Sequence, residues 1–201
     1  MVIKGDRIII KSTEKNDLES IKKLWNNGEV MKWVGFPAGL NQSIKDMQVW
    51  WKKIKENNNT HHFVVFTKND KFCGELYYKK EPKYNRAGLD IKFLPKLQGK
   101  GLATEALQLL INHIFNNEPE VNTLWTEPSK ENVAARKLYS HCLLSTKERP
   151  KDMETAESYW ELSRKEWQNS SNYEWYLIIK YFYVIKKDGL LHPFCNLNIF
   201  F

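Results

Sequence analysis

Two hydrophobic periods run along this chain, and the changes between them mark its elements. Apolar residues over 7–11 read as a first strand, followed by a helix that carries Leu18, Ile21, Leu24 and Trp25 at helical spacing, with Asn16 as N-cap and Glu19 as its capping-box partner. Residues 28–40, GEVMKWVGFPAGL, read as a loop. Ser43 and Asp46 start a second helix that runs through Trp50 and Trp51 to the polar breaker Asn57-Asn58-Asn59. Strands at 62–67 and 72–79 flank Asn69-Asp70, a hairpin signal. From Leu89 to Phe93 apolar residues alternate with Asp90 and Lys92, the period of a half-buried strand, whereas Ala103, Leu107, Leu110, Ile111 and Ile114 have helical spacing. A strand at 123–126, a helix at 132–141 and two strands near Leu144 and at 159–162 complete the pattern. Strands lying both before and between helices predict an α+β domain with a mixed sheet.

The segment Gln98-Gly99-Lys100-Gly101 separates the 89–93 strand from the helix after it. A glycine-bracketed turn that opens a helix exposes backbone N–H groups at the positive end of the helix dipole, which is an anion cradle. A nucleotide P-loop needs Gly-Lys-Ser/Thr at the end of the turn, and Leu102 follows Gly101 here; the dinucleotide pattern fails because its third glycine position is Thr104.

Composition narrows the anion. The 201 residues suffice for one domain with its own core, and a net charge of +7 on a mixed surface suits a phosphorylated cofactor without requiring nucleic acid, for which no motif is present. Cys73, Cys142 and Cys195 have the spacing of neither a zinc site nor a disulfide framework and read as reduced thiols. His61 and His62 lack a neighbouring ligand cluster, so no metal is expected. The apolar run near the N-terminus is too short for a signal peptide, and a cytoplasmic protein is expected.

Farther along, Asn132 and Tyr139 lie two helical turns apart and project from nearly one face, while Ala134, Ala135 and Leu138 pack inward. Gln98-Gly99-Lys100-Gly101-Leu102-Ala103 matches the Gln/Arg-x-x-Gly-x-Gly/Ala signature of the GNAT acetyltransferases, and NVAARKLY matches the Asn-x-x-Ala-x-x-x-Tyr helix that follows it in them. RIIIKSTEKNDLESIKKLW and GEVMKWVGFP resemble the opening of the RimJ/RimL-like branch, which acetylates ribosomal-protein N-termini. The resemblance spans about residues 6–166.

It implies the GNAT fold, a mostly antiparallel sheet splayed at the cofactor site and flanked by helices, with acetyl-CoA as co-substrate. The backbone amides of Gln98, Gly99, Lys100, Gly101, Leu102 and Ala103 would hold the pyrophosphate, Ile91, Lys92 and Phe93 would pair with the pantetheine arm, and Asn132 would touch it. Tyr139 resembles the tyrosine that protonates the departing thiolate. Glu127 resembles the general base, acting directly or through water, with Glu75 and Asp90 as alternatives. Trp33, Glu75 and Asp90 are candidates for the substrate side, and of the adjacent Trp50 and Trp51 only one can face the core.

The acceptor that the resemblance implies is a primary amine on a small molecule or at a peptide N-terminus; a catalytically weak CoA-binding or interaction protein on the same fold is the alternative. After Tyr139 the family usually shows Gly-Phe where this chain has Leu143-Leu144, so the helix stop must carry strain or use another cap. The matched domain is assigned to 1–169. The aromatic-rich extension 170–201 has an apolar run about half as long as a bilayer span, so no membrane segment is expected, and as an exposed patch it would favour self-association, a homodimer among the forms.

Overall fold

The hairpins read from the sequence join into one mixed sheet. In the computed structural model, which describes residues 1–153 and 158–170, the strands are β1 (Val2–Lys4), β2 (Ile8–Ser12), β3 (Thr60–Thr67), β4 (Phe72–Glu81), β5 (Arg86–Phe93), β6 (Thr123–Thr126), β7 (Ser145–Thr146) and β8 (Trp160–Ser163). Their order is β1-β2-β3-β4-β5-β6-β8-β7, and every pairing is antiparallel except β5 with β6. The helices are α1 (Leu18–Trp25), α2 (Gly28–Met31), α3 (Ile44–Glu56), α4 (Leu102–Asn117) and α5 (Val133–His141). This is the α+β architecture expected. Residues 1–164 form one compact unit, and 165–170 are helical. The expectations for the extension and for Cys195 fall on 171–201, outside the described residues, apart from Ser170.

The sheet is buried on both faces, which follows from strand alternation. Val64 and Phe66 of β3 pack with Leu18, Ile21 and Met47 of α1 and α3, so Phe63 and Val65 point to the opposite face. Cross-strand pairing carries the parity onward: His62 lies opposite Tyr77, Val64 opposite Glu75, Glu75 opposite Lys92 and Tyr77 opposite Asp90. Polar residues on the α1/α3 face of three strands are thereby gathered into one patch. On α4 the buried residues Ala106, Leu107, Leu110, Ile111 and Ile114 recur at helical spacing. Arg164 closes the far end of that helix by donating to the carbonyls of Phe115, Glu118 and Val121.

Several boundaries differ from the sequence reading. The first cap is Glu14 with Asp17 rather than Asn16 with Glu19: the Glu14 N–H donates to Asp17 at 2.8 Å, and a 3-10 turn precedes α1. Asp17 is buried and also pairs with Lys11, which fixes the turn there. The stretch read as a loop contains α2, capped by Asn27 and drawn inward by Val30 and Met31. Strand β1 was not expected, and β5 starts at Arg86. The Ser43–Asp46 capping box of α3 forms as read.

The stop of α5 shows how the missing glycine is handled. Leu143 adopts φ +71°, the Leu144 N–H donates to the Tyr139 carbonyl at 3.0 Å and the Leu143 N–H donates to Ser140 at 3.1 Å, a Schellman closure with leucine at the left-handed position. A left-handed conformation costs an L-residue roughly 1–2 kcal/mol. Leu143 is half exposed and has little burial to lose. Leu143→Gly is therefore expected to stabilise the chain by a net of about 0.5–1 kcal/mol after the extra entropy of an unfolded glycine is subtracted, and to raise Tm by roughly 1–3 °C; a lower melting temperature would show that the strain there is smaller than that entropy.

Candidate active site

The parallel pair β5 and β6 stays together for only three residue pairs, the last being Gly88 with Trp125. Beyond it, Leu89 to Phe93 pair with β4 on one side and, among the described residues, with no strand on the other. Side chains take up two backbone groups of this segment: the Asp90 carboxylate accepts from the Ile91 N–H at 2.8 Å, and the Gln98 amide donates to the Phe93 carbonyl at 3.2 Å. An extended ligand with amide groups can add to such an edge as a strand would.

The glycine turn follows directly, after a 3-10 turn at Pro95–Leu97. Gly99 and Gly101 have φ +71° and +72°, and Gly101 is the N-cap of α4, with no side-chain cap on the helix. Arg7 braces the turn. Its guanidinium donates to the carbonyls of Lys100 at 2.9 Å and Gly101 at 3.1 Å, and it is held by Glu105, which accepts from the Arg7 side chain at 2.8 Å and from its backbone N–H at 2.9 Å. In a trans peptide the N–H points opposite to the C=O. With the carbonyls of Lys100 and Gly101 turned toward Arg7, the amides of Gly101 and Leu102 point away from it, beside those of the first turn of α4. Among the described residues, a side chain added at Gly99 would meet nothing within 4 Å, which leaves room beside the turn for a bulky anion. Sequence reading missed Arg7, because its role depends on a contact across 93 residues.

Next to the splay, on the α1/α3 face, lies a cleft of about 450 Å³. His62, Glu75, Tyr77, Asp90 and Lys92 of the sheet form its floor, and Trp25, Met31, Val34, Leu40, Trp50 and Ile54 its walls. Trp50 packs edge-on against Trp25 and His62 at 4.7 and 4.8 Å between centroids, whereas Trp51 donates to the Thr13 carbonyl at 3.3 Å; contrary to expectation both tryptophans pack against the core of Leu18, Ile21, Met47 and Val64, and Trp50 also lines the cleft. Trp33 is partly exposed under Lys32 and does not line the cleft, although Met31 and Val34 on either side of it do.

Glu75 is 1% exposed, accepts from Trp25 Nε1 at 2.6 Å, and lies 3.2 Å from His62 Nε2 and 3.6 Å from Lys92 Nζ. Burial pushes its carboxyl up, but His62, Lys92 and Trp25 outweigh that and hold it below the usual range. On the far side of the ring, His62 Nδ1 meets Thr13 Oγ1 at 2.7 Å. Asp90 pairs with Lys92 and is more open to the cleft than Glu75. Tyr139 is buried on α5; burial raises its phenol well above the ordinary value, Asp90 adds to the rise, and the Thr126 hydroxyl and Lys92 oppose it. Glu127, just past β6, is paired with Arg149 and is not among the residues lining the cleft. Asn132 caps α5, its side-chain oxygen accepting from the Ala135 N–H at 3.1 Å. The structure thus groups Asp90, Glu75 and Lys92 in the cleft floor; Tyr139 feels Asp90 and Lys92 but, like Glu127 and Trp33, is not among the residues lining the cleft.

Residues 7–143 match the family model described as an acetyltransferase (GNAT) domain. The chain belongs to the GNAT acetyltransferase family. Its fold is that of spermidine N-acetyltransferase from Vibrio cholerae, solved with CoA and spermine (19% identity, TM-score 0.70, 82% of this chain and 99% of that one). The aminoglycoside acetyltransferase AAC(6')-Ib, solved with coenzyme A, is similar (18%, TM-score 0.68, 82% and 99%). So is RimL, the ribosomal L7/L12 α-N-protein acetyltransferase, also solved with CoA (13%, TM-score 0.70, 81% and 98%). Among curated protein sequences there is no significant match. Acetyl-CoA is the co-substrate of this GNAT enzyme, and the open β5 edge and the outward amides of the turn are features that fit its pantetheine arm and pyrophosphate. Among the described residues, no cluster of His, Cys, Asp and Glu is arranged to hold a metal, and no helix is long and apolar enough to cross a membrane.

Because a ligand that binds only the native state stabilises it by mass action, acetyl-CoA is expected to raise Tm. Arg7→Met, which keeps the chain length but removes the donors, should weaken acetyl-CoA binding about tenfold, roughly 1.4 kcal/mol, and shrink the thermal shift. Gly101→Val should do more, since its Cβ would sit 3.2 Å from Arg7 Nη2 at a positive φ. A full shift in a folded Gly101→Val protein would place the pyrophosphate elsewhere.

Proposed function

We propose that this enzyme transfers the acetyl group of acetyl-CoA to a primary amine by direct attack, and that it belongs to the RimJ/RimL-like branch. The observation that carries the reading is Asp90 in the cleft floor, on the strand whose other edge is open, with Tyr139 buried on α5 and within the electrostatic reach of Asp90 and Lys92. The neighbours named for spermidine, aminoglycosides and a ribosomal-protein N-terminus support an amine acceptor, and the RIIIKSTEKNDLESIKKLW opening supports the branch. The catalytic domain is taken as 1–169.

Acetyl-CoA supplies the thioester carbon that the amine attacks. Ile91 and Phe93 offer backbone groups to the pantetheine arm; Gln98, Gly99, Lys100, Gly101, Leu102 and Ala103 form the pyrophosphate turn; Asn132, whose carboxamide oxygen is used by the helix, retains its NH2 as a donor. The amine arrives mostly protonated, so a carboxylate must take its proton before attack. Asp90 is our choice, directly or through water, because it lines the cleft and is less enclosed than Glu75. Glu127, engaged by Arg149, is the second choice. Tyr139 stays protonated across the working pH range because of its raised pKa, and its hydroxyl donates to the leaving thiolate, where a buried donor counts for most.

Tyr139→Phe is expected to lower kcat by roughly tenfold to a thousandfold while leaving acetyl-CoA affinity nearly unchanged, since a positioned proton donor contributes about 10²–10⁴ and water can replace part of it. Asp90→Asn should slow the reaction most at low pH, where free amine is scarcest, and Glu127→Gln should leave the pH profile in place. The reverse pattern in these two variants would assign the base to Glu127.

A further inference from the structure

The cleft floor contains a cation of its own. Lys92 Nζ lies 3.6 Å from Glu75 Oε1 and is paired with Asp90, and its side chain is only 12% exposed. The parity of β4 and β5 forces this: Lys92 is directly opposite Glu75 and two residues from Asp90 on the same face. Burial works against the ammonium, but Asp90 and Glu75 outweigh it and keep Lys92 charged. Lys92 thus fills the space between the two carboxylates with the protein's own ammonium. Lys79 also lines the cleft, so its two carboxylates face two lysines. The rest of the wall is apolar, with Trp25, Trp50, Leu40 and Ile54.

We infer that the cleft accepts a singly charged primary amine on an apolar or aromatic body, and that Lys92 is the specificity-determining residue that excludes polycationic amines. The inference rests on the amine-transfer reading above. A second ammonium entering here would lose its hydration beside Lys92, a like charge that repels it, with Asp90 already taken by the reacting amine. One amine on an aromatic body brings no second charge to dehydrate: the apolar part buries against the tryptophans and the single amine reaches Asp90.

The test measures free thiol released from acetyl-CoA by the full chain with four acceptors: phenethylamine, a Phe-Gly dipeptide amide, spermidine and kanamycin. The first two are expected to show kcat/KM about tenfold or more above the last two, and their mutual ratio tells a small amine from a peptide N-terminus. Lys92→Gln should shrink or reverse that preference by raising the spermidine rate, while Lys92→Arg should keep it. If Lys92→Gln does not fold, Glu75→Gln combined with Lys92→Met removes one buried charge of each sign, leaves Asp90 open, and should shift the same ratio. A wild-type preference for spermidine or kanamycin, or an unchanged ratio in the folded charge-removing variant, overturns the role of Lys92 and leaves amine transfer standing. No thiol release with any acceptor, alongside a normal acetyl-CoA thermal shift, overturns amine transfer itself and this inference with it.

Discussion

The parting of β5 from β6 after Gly88 and Trp125 organises the site, because it leaves one edge of a central strand without a strand partner among the described residues. A buried backbone edge must find hydrogen bonds. Here Gln98 and Asp90 supply two of them, from the glycine turn and from the cleft floor respectively. The same edge thus touches both halves of the site, and strand pairing beside it sets which residues face which half. Ile91 and Phe93 share the parity of the α4 face, and Asp90 and Lys92 face the cleft.

Charge within the site is arranged by long-range contacts. Arg7 turns the carbonyls of Lys100 and Gly101 inward, so the amides that follow them point out, and Glu105 holds Arg7 in place. In the cleft, Lys92 offsets Glu75 and Asp90, and Trp25 and His62 complete the surroundings of Glu75. Both arrangements keep a buried or crowded charge paired, which is the condition for burying it at all.

The elements built by local rules were legible in the sequence. The Ser43–Asp46 box, the Asn69-Asp70 hairpin, the alternation through Phe93, the glycine turn and the Asn132-to-Tyr139 helix all follow from spacing and cap chemistry. What escaped was decided by partners distant in the chain. Capping at Glu14 depends on Asp17 being buried beside Lys11, α2 depends on Val30 and Met31 reaching Leu24, and Arg7 depends on the far turn. The pairing of Glu127 with Arg149 is of the same kind. The Leu143-Leu144 departure was visible as a problem, but its solution, a leucine held left-handed, emerged only from the backbone.

Amide hydrogen exchange with and without coenzyme A tests most directly whether the splay and the turn together form the cofactor site. Bound ligand should slow exchange at Ile91 and Phe93 on the open edge and from Gly99 to Thr104 in the turn, with little change in β1, β2 or β7. Protection confined to other segments, or absent while coenzyme A demonstrably binds, would contradict this assignment.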